Sequence, residues 1–255
     1  MPEVSFIMNT NRNFQEYGAK VIQSVYNLQD KFEYEILVYS KEDPKHEGVI
    51  WVKEEYDTGG SIYGYNLLAN IAKGDYIITI VDDYTLSPNY YNMVRHLQSE
   101  HFDDKEYVIS TPGITVLGSG NIGDENIEGG NNSFTGEVLN INKETHILKF
   151  PAFRRDILPK MDNCMFHPDL IHHWGDNYAS FHINQQGESV RQFNGVLMNC
   201  FGYMNGHPKW DIHDGNVVWY QIKNYTGKHV GSTVGIIDPI KLSEKYIELM
   251  SGKKE

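Results

Sequence analysis

The sequence predicts an α/β fold in which a mostly parallel sheet is flanked by helices. Short apolar runs of strand length alternate with segments whose apolar residues recur at helical spacing, an order typical of right-handed βαβ crossovers. Residues 76–81 form a continuous apolar run rich in β-branched residues, as in a strand covered on both faces. The chain has 255 residues, 40% of them hydrophobic, and no break in composition, which favours one large domain.

The first part of the chain is predicted to contain three strands and one helix. Residues 4–8, 34–39 and 49–52 are short apolar runs bounded by polar loops, so each is expected to form a strand. A helix between the first two strands is predicted from apolar residues that share one face: Phe14, Tyr17, Val21, Val25 and Leu28.

One stretch combines a helix, a tight turn, a buried strand and two acids. The helix is expected to end at Gly74, and it is predicted from the spacing of Ile62, Tyr65, Leu68, Ala69 and Ala72. Asp82 and Asp83 follow the strand at 76–81, at the end where open α/β sheets bind ligands. Adjacent carboxylates can hold Mg²⁺ or Mn²⁺ against a diphosphate. A solvated turn before a helix at Pro88 would also explain these acids.

The remaining patterns are less regular. Four elements are predicted after Pro88: a helix around residues 91–97, a strand at 107–111, two short strands within 138–150, and a packing helix at 238–250. Residues 113–136 contain seven glycines and little periodicity. They are expected to be either a mobile connection or a lid and acceptor-binding surface.

Charge and composition exclude several classes of function. A formal net charge of −12 opposes non-specific binding to nucleic acid or to an anionic membrane. The chain has no signal-like N-terminus and no apolar run of about 18 residues, so a soluble cytoplasmic protein without a transmembrane segment is expected. Cys164 and Cys200 lack metal-ligand spacing and are expected to be reduced packing residues.

The stretch with the two acids resembles the core of family 2 glycosyltransferases with the GT-A fold. Those enzymes carry an asparagine-containing helix, a Gly-Asp turn, an apolar strand that ends in a DxD motif, and a proline soon afterwards. The matching positions in this sequence are Asn66, Gly74, Asp75, residues 76–81, Asp82, Asp83 and Pro88. The chain departs from the pattern at Tyr65, where the family usually has arginine, and at Val81, which replaces the first acid of the motif.

This resemblance implies a single Rossmann-like GT-A domain over residues 1–255, with a central mostly parallel mixed sheet flanked by helices. Residues 1–112 would form the nucleotide-binding half, and residues 113–255 the acceptor-binding half with the C-terminal helix.

The resemblance also implies where the donor binds. In the family, the first loop and the end of the second strand hold the base and ribose, which in this sequence are Thr10, Asn11, Arg12 and Ser40. Ser40 stands about where the family often has an aspartate that binds uracil, so the identity of the base stays open. Together with Asn66, Asp82 and Asp83, these residues are the predicted donor site. An ordinary polar connection is the alternative for the first loop.

A second match lies further along the chain. Residues 153–158, Asp176 and Gly187 follow the order of the family's arginine-rich helix start, acidic motif and helix-ending glycine. Asp176 would be the general base that takes the proton of the acceptor hydroxyl, or merely the N-cap of a helix. Trp174 and Arg155 are the predicted acceptor-binding residues.

The resemblance implies a metal site at Asp83 with help from Asp82. Many family members add a histidine ligand, for which His207 or His213 are the candidates among the eleven histidines here. No paired histidines have the spacing of a catalytic zinc site.

The function implied is metal-dependent transfer, with inversion, of a sugar from a nucleotide-diphosphate sugar to a glycan or other hydroxyl-bearing acceptor, with Mn²⁺ or Mg²⁺ as cofactor. One alternative is a catalytically degenerate protein that only binds nucleotide sugars or glycans. A nucleotidyltransferase is another, although the sequence has no evident glycine-rich phosphate loop with a basic residue. The donor sugar, the acceptor and the oligomeric state are left open.

Overall fold

The structure is a computed structural model that describes residues 1–10, 13–28, 32–54, 62–82, 84–86, 94–95, 98, 106–110, 115–117, 126–127, 138–140, 151–161, 163–166, 189–193 and 197–199. Of the helix predicted around 91–97, Val94 and Arg95 are described, and both are helical. The helix predicted at 238–250 and residues 141–150 lie outside the described residues.

The first part of the chain folds as alternating strands and helices, as the sequence predicts. Its elements are β1 (Val4–Asn9), α1 (Gly18–Tyr26), β2 (Tyr34–Ser40), β3 (Val49–Lys53), α2 (Ile62–Ile71) and β4 (Tyr76–Val81). Strand β1 pairs in parallel with both β2 and β4, and β3 pairs in parallel with β2. The carboxyl ends of these four strands therefore meet at one edge of the sheet.

The later elements extend this sheet and build a second one. They are β5 (Tyr84–Leu86), β6 (Glu106–Ser110), β7 (Thr115–Leu117), β8 (Asn126–Ile127), β9 (Val138–Asn140), β10 (Ala152–Arg154), a 3-10 helix (Arg155–Met161), β11 (Ser189–Phe193) and β12 (Leu197–Asn199). The main sheet has the order β3-β2-β1-β4-β10-β6-β11-β9, and the smaller sheet has the order β5-β12-β7-β8. Strand β10 runs antiparallel to both of its neighbours, β4 and β6, so the main sheet is mixed.

Helices α1 and α2 cover opposite faces of the main sheet. Successive residues of β1 point to opposite faces, so Ile7 packs in the core cluster under α2, whereas Phe6 and Met8 pack in the cluster under α1. These side chains are almost completely buried, and each such burial stabilises the fold by about 1.5–3 kcal/mol. The continuous apolar character of the strands is thus explained by helices on both faces.

Helix α2 ends at Ile71, before the predicted end at Gly74. The Ala72 N–H still donates to the Leu68 carbonyl, and the two donors after it turn towards the sheet. The Lys73 N–H donates to the carboxylate of Glu35 at 2.6 Å, and the Gly74 N–H donates to Ser5 Oγ at 2.8 Å. A Cβ at Gly74 would lie 2.6 Å from the backbone nitrogen of Ser5. Gly74 is therefore needed for close packing against β1.

Two further differences from the sequence predictions concern the glycine-rich residues 113–136 and the start of α1. The glycine-rich residues 113–136 contain β7 and β8, which pair with each other, and β7 also pairs with the distant β12. Strands of two or three residues are too short to show a periodicity. Phe14 precedes α1, and its ring packs over the helix start at Gly18, where a Cβ would lie 2.7 Å from it.

Within the described part of the chain, no helix combines the length and the apolar character needed to cross a membrane.

Candidate functional site

Three of the predicted donor residues lie side by side at the carboxyl edge of the sheet. In the register of the strands, Asn9 of β1 lies opposite Tyr39 of β2 and Val81 of β4. Thr10, one residue further, therefore lies between Ser40 and Asp82, with neighbouring strands about 4.8 Å apart. Since residues two apart share a face, all three lie on the α1 side of the sheet with Met8. We call Ser40, Thr10 and Asp82 the polar row.

The polar row is buried, and two of its members are hydrogen-bonded to each other. Thr10 Oγ1 donates a hydrogen bond to Asp82 Oδ2 at 2.6 Å, and the Thr10 N–H donates to the Tyr39 carbonyl at 3.0 Å. Asp82 is only 8% exposed, whereas a carboxylate in a solvated turn would be in contact with water. A buried carboxylate held by a hydroxyl has a fixed direction, as a ligand or metal site requires.

A cavity of about 340 Å³ adjoins the polar row. Its lining residues are Thr10, Asn13, Phe14, Gln15, Ser40, Lys41, Glu42, Asp43 and Pro44. The loop after β2 is held in place by hydrogen bonds: Ser40 Oγ donates to the Glu42 carbonyl at 2.8 Å, and Gln15 Nε2 donates to the Pro44 carbonyl at 2.7 Å. The cavity thus combines apolar surface from Phe14 with polar and charged groups, a composition suited to a planar polar ring.

Two buried polar residues at this edge were not among the sequence predictions. Asn9 ends β1 and lies on the α2 side with Ile7, and a Cβ at Gly64 of α2 would lie 2.7 Å from its Nδ2 atom. Glu54 directly follows β3, and its N–H donates to the Ser40 carbonyl at 2.9 Å. Both residues are less than 9% exposed. In the sequence, Asn9 directly follows the apolar run at 4–8, and Glu54 follows the run at 49–52 after one lysine.

Asn66 lies in α2, and its side chain bonds the backbone of a distant segment. Its Nδ2 donates to the Phe166 carbonyl at 2.8 Å, and its Oδ1 accepts the Phe166 N–H at 3.0 Å. The residue is 8% exposed. The structure therefore places the Asn66 amide against the backbone of Phe166, whereas the resemblance to family 2 enzymes implies a contact with the donor.

Arg155 lies at the opposite edge of the sheet from the polar row. Its N–H donates to the Asp75 carbonyl at 2.9 Å, and its Nη1 donates to the Ala72 carbonyl at 3.4 Å. Asp75 precedes β4 and Asp82 follows it, so the length of this strand separates Arg155 from the polar row by about 20 Å. The structure does not bring Arg155 together with Thr10, Ser40 and Asp82.

A second cavity, of about 540 Å³, surrounds Arg155 at this far edge. It is lined by Ala69, Asn70, Asp75, Tyr76, Arg154, Arg155, Asp156, Leu158, Pro159 and Asn163. Its charges are paired locally, since Arg154 Nη2 lies 2.5 Å from an Asp156 carboxylate oxygen and Arg155 Nη2 lies 4.0 Å from one of Asp75.

The other predicted site residues lie outside the described residues: Asn11, Arg12, Asp83, Trp174, Asp176, His207 and His213. Within the described residues, no group of three or more histidine, cysteine or acidic side chains is arranged to hold a metal ion.

The similarity of this chain to known proteins lies in its structure. No family model matches the sequence, and no curated protein matches it. Residues 1–349 of TarS from S. aureus match this chain with a TM-score of 0.63 at 13% identity, over 97% of this chain and 70% of that one. The same TarS fragment matches in complex with UDP-GlcNAc, with a TM-score of 0.63 at 12% identity and coverage of 97% and 71%.

A second similar structure comes from another organism. The mannosyltransferase PcManGT from Pyrobaculum calidifontis, in complex with GDP-Man and Mn²⁺, matches with a TM-score of 0.59 at 13% identity, over 98% of this chain and 70% of that one. At this level of identity the likeness establishes the fold. The chain has the α/β fold of GT-A glycosyltransferases, with a mixed, mostly parallel sheet flanked by helices.

Proposed function

We propose that this protein is a glycosyltransferase that moves a sugar from a nucleotide-diphosphate sugar to an acceptor hydroxyl. The observation that carries the proposal is the polar row beside a cavity of about 340 Å³. In this row the buried Asp82 carboxylate accepts a hydrogen bond from the Thr10 hydroxyl at 2.6 Å. This arrangement lies at the carboxyl edge of the sheet, where ligands bind in open α/β folds. The similar structures that contain UDP-GlcNAc or GDP-Man support a nucleotide sugar as the ligand.

The donor would lie across the polar row with its base in the adjoining cavity. Phe14 and Pro44 offer apolar surface, and Gln15, Lys41, Glu42 and Asp43 offer hydrogen-bonding groups to the edge of a base. The ribose and diphosphate would then extend past Thr10 towards Asp82, with Asn11 and Arg12 completing the site. The cavity offers both hydrogen-bond donors and hydrogen-bond acceptors, so the base has to be identified by experiment.

The residues at the polar row fit a divalent cation such as Mn²⁺ or Mg²⁺. Asp82 offers carboxylate oxygen, which is the ligand type these ions prefer, and Asp83 is the next residue in the chain. Asp83 with Asp82 would hold the ion, with His207 or His213 as a further ligand. When bound, the ion would neutralise the diphosphate and so stabilise the leaving nucleotide.

The acceptor side of the proposal rests on the resemblance to family 2 enzymes. Residues 1–112 would bind the nucleotide, and residues 113–255 of the same domain would bind the acceptor. Asp176 would take the proton of the acceptor hydroxyl, which is the task of the base in an inverting transfer, and Trp174 would stack on the acceptor. Arg155 would contact an acceptor only where that acceptor reaches the far edge of the sheet.

A thermal-shift panel of nucleotides and nucleotide sugars, each with and without Mn²⁺, tests the donor site. A ligand at about 100 times its Kd stabilises a fold by about 2.7 kcal/mol, which corresponds to a rise in Tm of roughly 5–10 °C for a chain of this size. We expect one nucleotide family to raise the Tm in a metal-dependent way, and Asp82→Asn to abolish the metal-dependent part.

Release of nucleotide from the matching nucleotide sugar, in the presence of a panel of glycosides, then tests catalysis. Replacement of Asp176 by Asn should lower turnover about 10²- to 10⁴-fold while donor binding persists. Donor binding without turnover would favour a binding protein instead, and release of pyrophosphate from a nucleoside triphosphate would favour a nucleotidyltransferase.

A further inference from the structure

Helix α2 connects two segments of the chain that the proposed reaction needs in register. On one side, the Tyr65 hydroxyl donates to the Ile80 carbonyl at 2.8 Å, two residues before Asp82. On the other side, the neighbouring Asn66 holds both backbone groups of Phe166, at 2.8 and 3.0 Å. Consecutive residues of one helix thus fix the end of β4 and a segment 100 positions away from Asn66.

The contact with Phe166 is reinforced by its surroundings. The Phe166 ring meets the Tyr65 ring edge-on, with 6.0 Å between the ring centroids. One helical turn after Asn66, Asn70 Nδ2 donates to the Asn163 carbonyl at 2.7 Å. Asn163 itself has a positive φ of 59°, a conformation that asparagine tolerates better than most residues, so the chain turns there in a defined way. Residues 163–166 are therefore held against α2 at both ends.

The chemistry of the Asn66 amide argues for a structural partner. A primary amide that donates to a carbonyl and accepts from an N–H of the same residue reproduces the bonding of a neighbouring strand. Since the residue is 8% exposed, turning this amide towards a ligand would leave the buried N–H and carbonyl of Phe166 without these bonds. Asn66 is thus better placed to hold the chain than to bind a nucleotide.

We propose that Asn66 is a positioning residue for the acceptor side of the site and not a ligand of the donor. It fixes Phe166, and the chain leads from Phe166 to Trp174 and Asp176, the predicted acceptor and base residues. Tyr65 in the same helix fixes the carbonyl next to Val81, so α2 sets both the acid end of β4 and the start of the segment that leads to the base. The inference rests on the proposed glycosyl transfer.

The test separates donor binding from turnover in Asn66→Asp and Asn66→Ala. Asn66→Asp keeps the size of the side chain but removes the donor to the Phe166 carbonyl, and Asn66→Ala removes both bonds without adding charge. Three readouts are compared: the Kd of UDP or GDP with Mn²⁺ by calorimetry, nucleotide release from the matching nucleotide sugar, and hydrogen exchange of the Phe166 amide. Asn27→Asp, an exposed amide-to-acid change after α1, is the matched control.

We expect both variants to keep the wild-type Kd within about twofold, and to lose turnover by about 10²-fold because the reacting groups are displaced by about 1 Å. The Phe166 amide should exchange faster in Asn66→Ala, which removes its acceptor, than in Asn66→Asp, which keeps a carboxylate oxygen as acceptor, and Asn27→Asp should match the wild type in all three readouts. A Kd weakened tenfold in Asn66→Ala, with unchanged exchange of the Phe166 amide in that variant, would overturn the inference and make Asn66 a donor ligand. Unchanged turnover in a folded variant would also overturn it.

Failure of the proposed function has a different signature. A wild-type protein that binds neither nucleotide with Mn²⁺ and releases none from any nucleotide sugar would contradict glycosyl transfer, and with it the acceptor role of Asn66. The exchange rate of the Phe166 amide in Asn66→Ala would still decide whether Asn66 holds this segment.

Discussion

At the scale of single residues, the direction of the Asp82 carboxylate depends on a hydroxyl from the neighbouring strand. Thr10→Val keeps the shape of the side chain but removes the donor at 2.6 Å from Asp82 Oδ2. Loss of a buried hydrogen bond to a carboxylate costs about 1–3 kcal/mol, so we expect the free energy of unfolding to fall by that amount. Nucleotide binding with Mn²⁺ should weaken as well, because the carboxylate is no longer held.

Urea denaturation and calorimetry with UDP or GDP check both effects. Thr10→Ser is the matched control, since it keeps the hydroxyl and should retain nucleotide affinity. If Thr10→Val bound the nucleotide as tightly as the wild type, the polar row would be a structural feature of the sheet edge and not part of a ligand site.

A second property of single residues is the ionisation of partly buried tyrosines. Burial raises the pKa of Tyr34 above its ordinary value of 10.0, and burial is also the main reason why the pKa of Tyr76 is raised. A raised pKa means that the folded state favours the neutral phenol. Its contribution to stability is therefore complete below pH 10, and it is lost as the pH rises from 10 towards the folded-state pKa.

We expect the free energy of unfolding to decline above pH 10, and to decline less steeply in Tyr34→Phe. Urea midpoints measured between pH 8 and pH 11, at the roughly constant slope expected of a two-state protein, check this. An identical decline in wild type and Tyr34→Phe would mean that the ionisation of other groups controls alkaline unfolding.

At the scale of elements, α2 is held to the sheet by more than its apolar face. The Tyr65 hydroxyl donates to the Ile80 carbonyl at 2.8 Å. Tyr65→Phe keeps the ring that packs on Phe166 and removes only this bond. We expect a loss of about 0.5–1.5 kcal/mol in the free energy of unfolding, measured by urea denaturation.

The same variant reports on function, because Ile80 lies two residues before Asp82. Its hydroxyl bond is expected to help fix the end of β4, so metal-dependent nucleotide affinity should fall several-fold. Tyr63→Phe, a substitution in the same helix, is the control. Loss of stability with unchanged affinity would show that the end of β4 is fixed without Tyr65.

Local patterns were sufficient to predict the βαβ part of the fold. Strands β1, β2 and β4 are apolar because both faces of the sheet are covered there, and that property is visible in the sequence itself. The three-residue β10 leaves no such trace, although it inserts antiparallel between β4 and β6 and makes the sheet mixed. Its position is set by pairing with distant strands, which no local pattern encodes.

The site could be predicted only in part for the same reason. The sequence predicts Thr10, Ser40 and Asp82 as donor residues one by one, whereas their neighbouring positions follow from the register of three strands. The bond between Asn66 and Phe166 joins positions 100 residues apart, so a resemblance in the order of motifs could not reveal it. Asn9 and Glu54 could not be assigned to the site from the sequence, because which strand ends lie together depends on which strands are neighbours in the sheet.

At the scale of the whole molecule, the formal net charge of −12 should oppose the approach of an anionic donor. Charges separated by more than the Debye length of about 10 Å at 0.1 M salt are largely screened, so added salt weakens this long-range repulsion. The association rate of a nucleoside diphosphate should therefore rise with ionic strength at a fixed, saturating concentration of Mn²⁺. Basic groups close to the site, among them Lys41 in the wall of the cavity, act in the opposite direction over short distances.

Stopped-flow binding of UDP or GDP between 20 and 300 mM NaCl measures the balance between these two effects, with the parent nucleoside as the uncharged control. We expect the nucleotide to associate a few-fold faster at high salt, because repulsion by the net charge acts over the whole approach, and the nucleoside rate to stay constant. A rate that falls with salt would mean that local basic groups, and not the net charge, control the encounter. In that case Lys41→Gln should remove the salt dependence, and the acidic surface would have no part in donor capture.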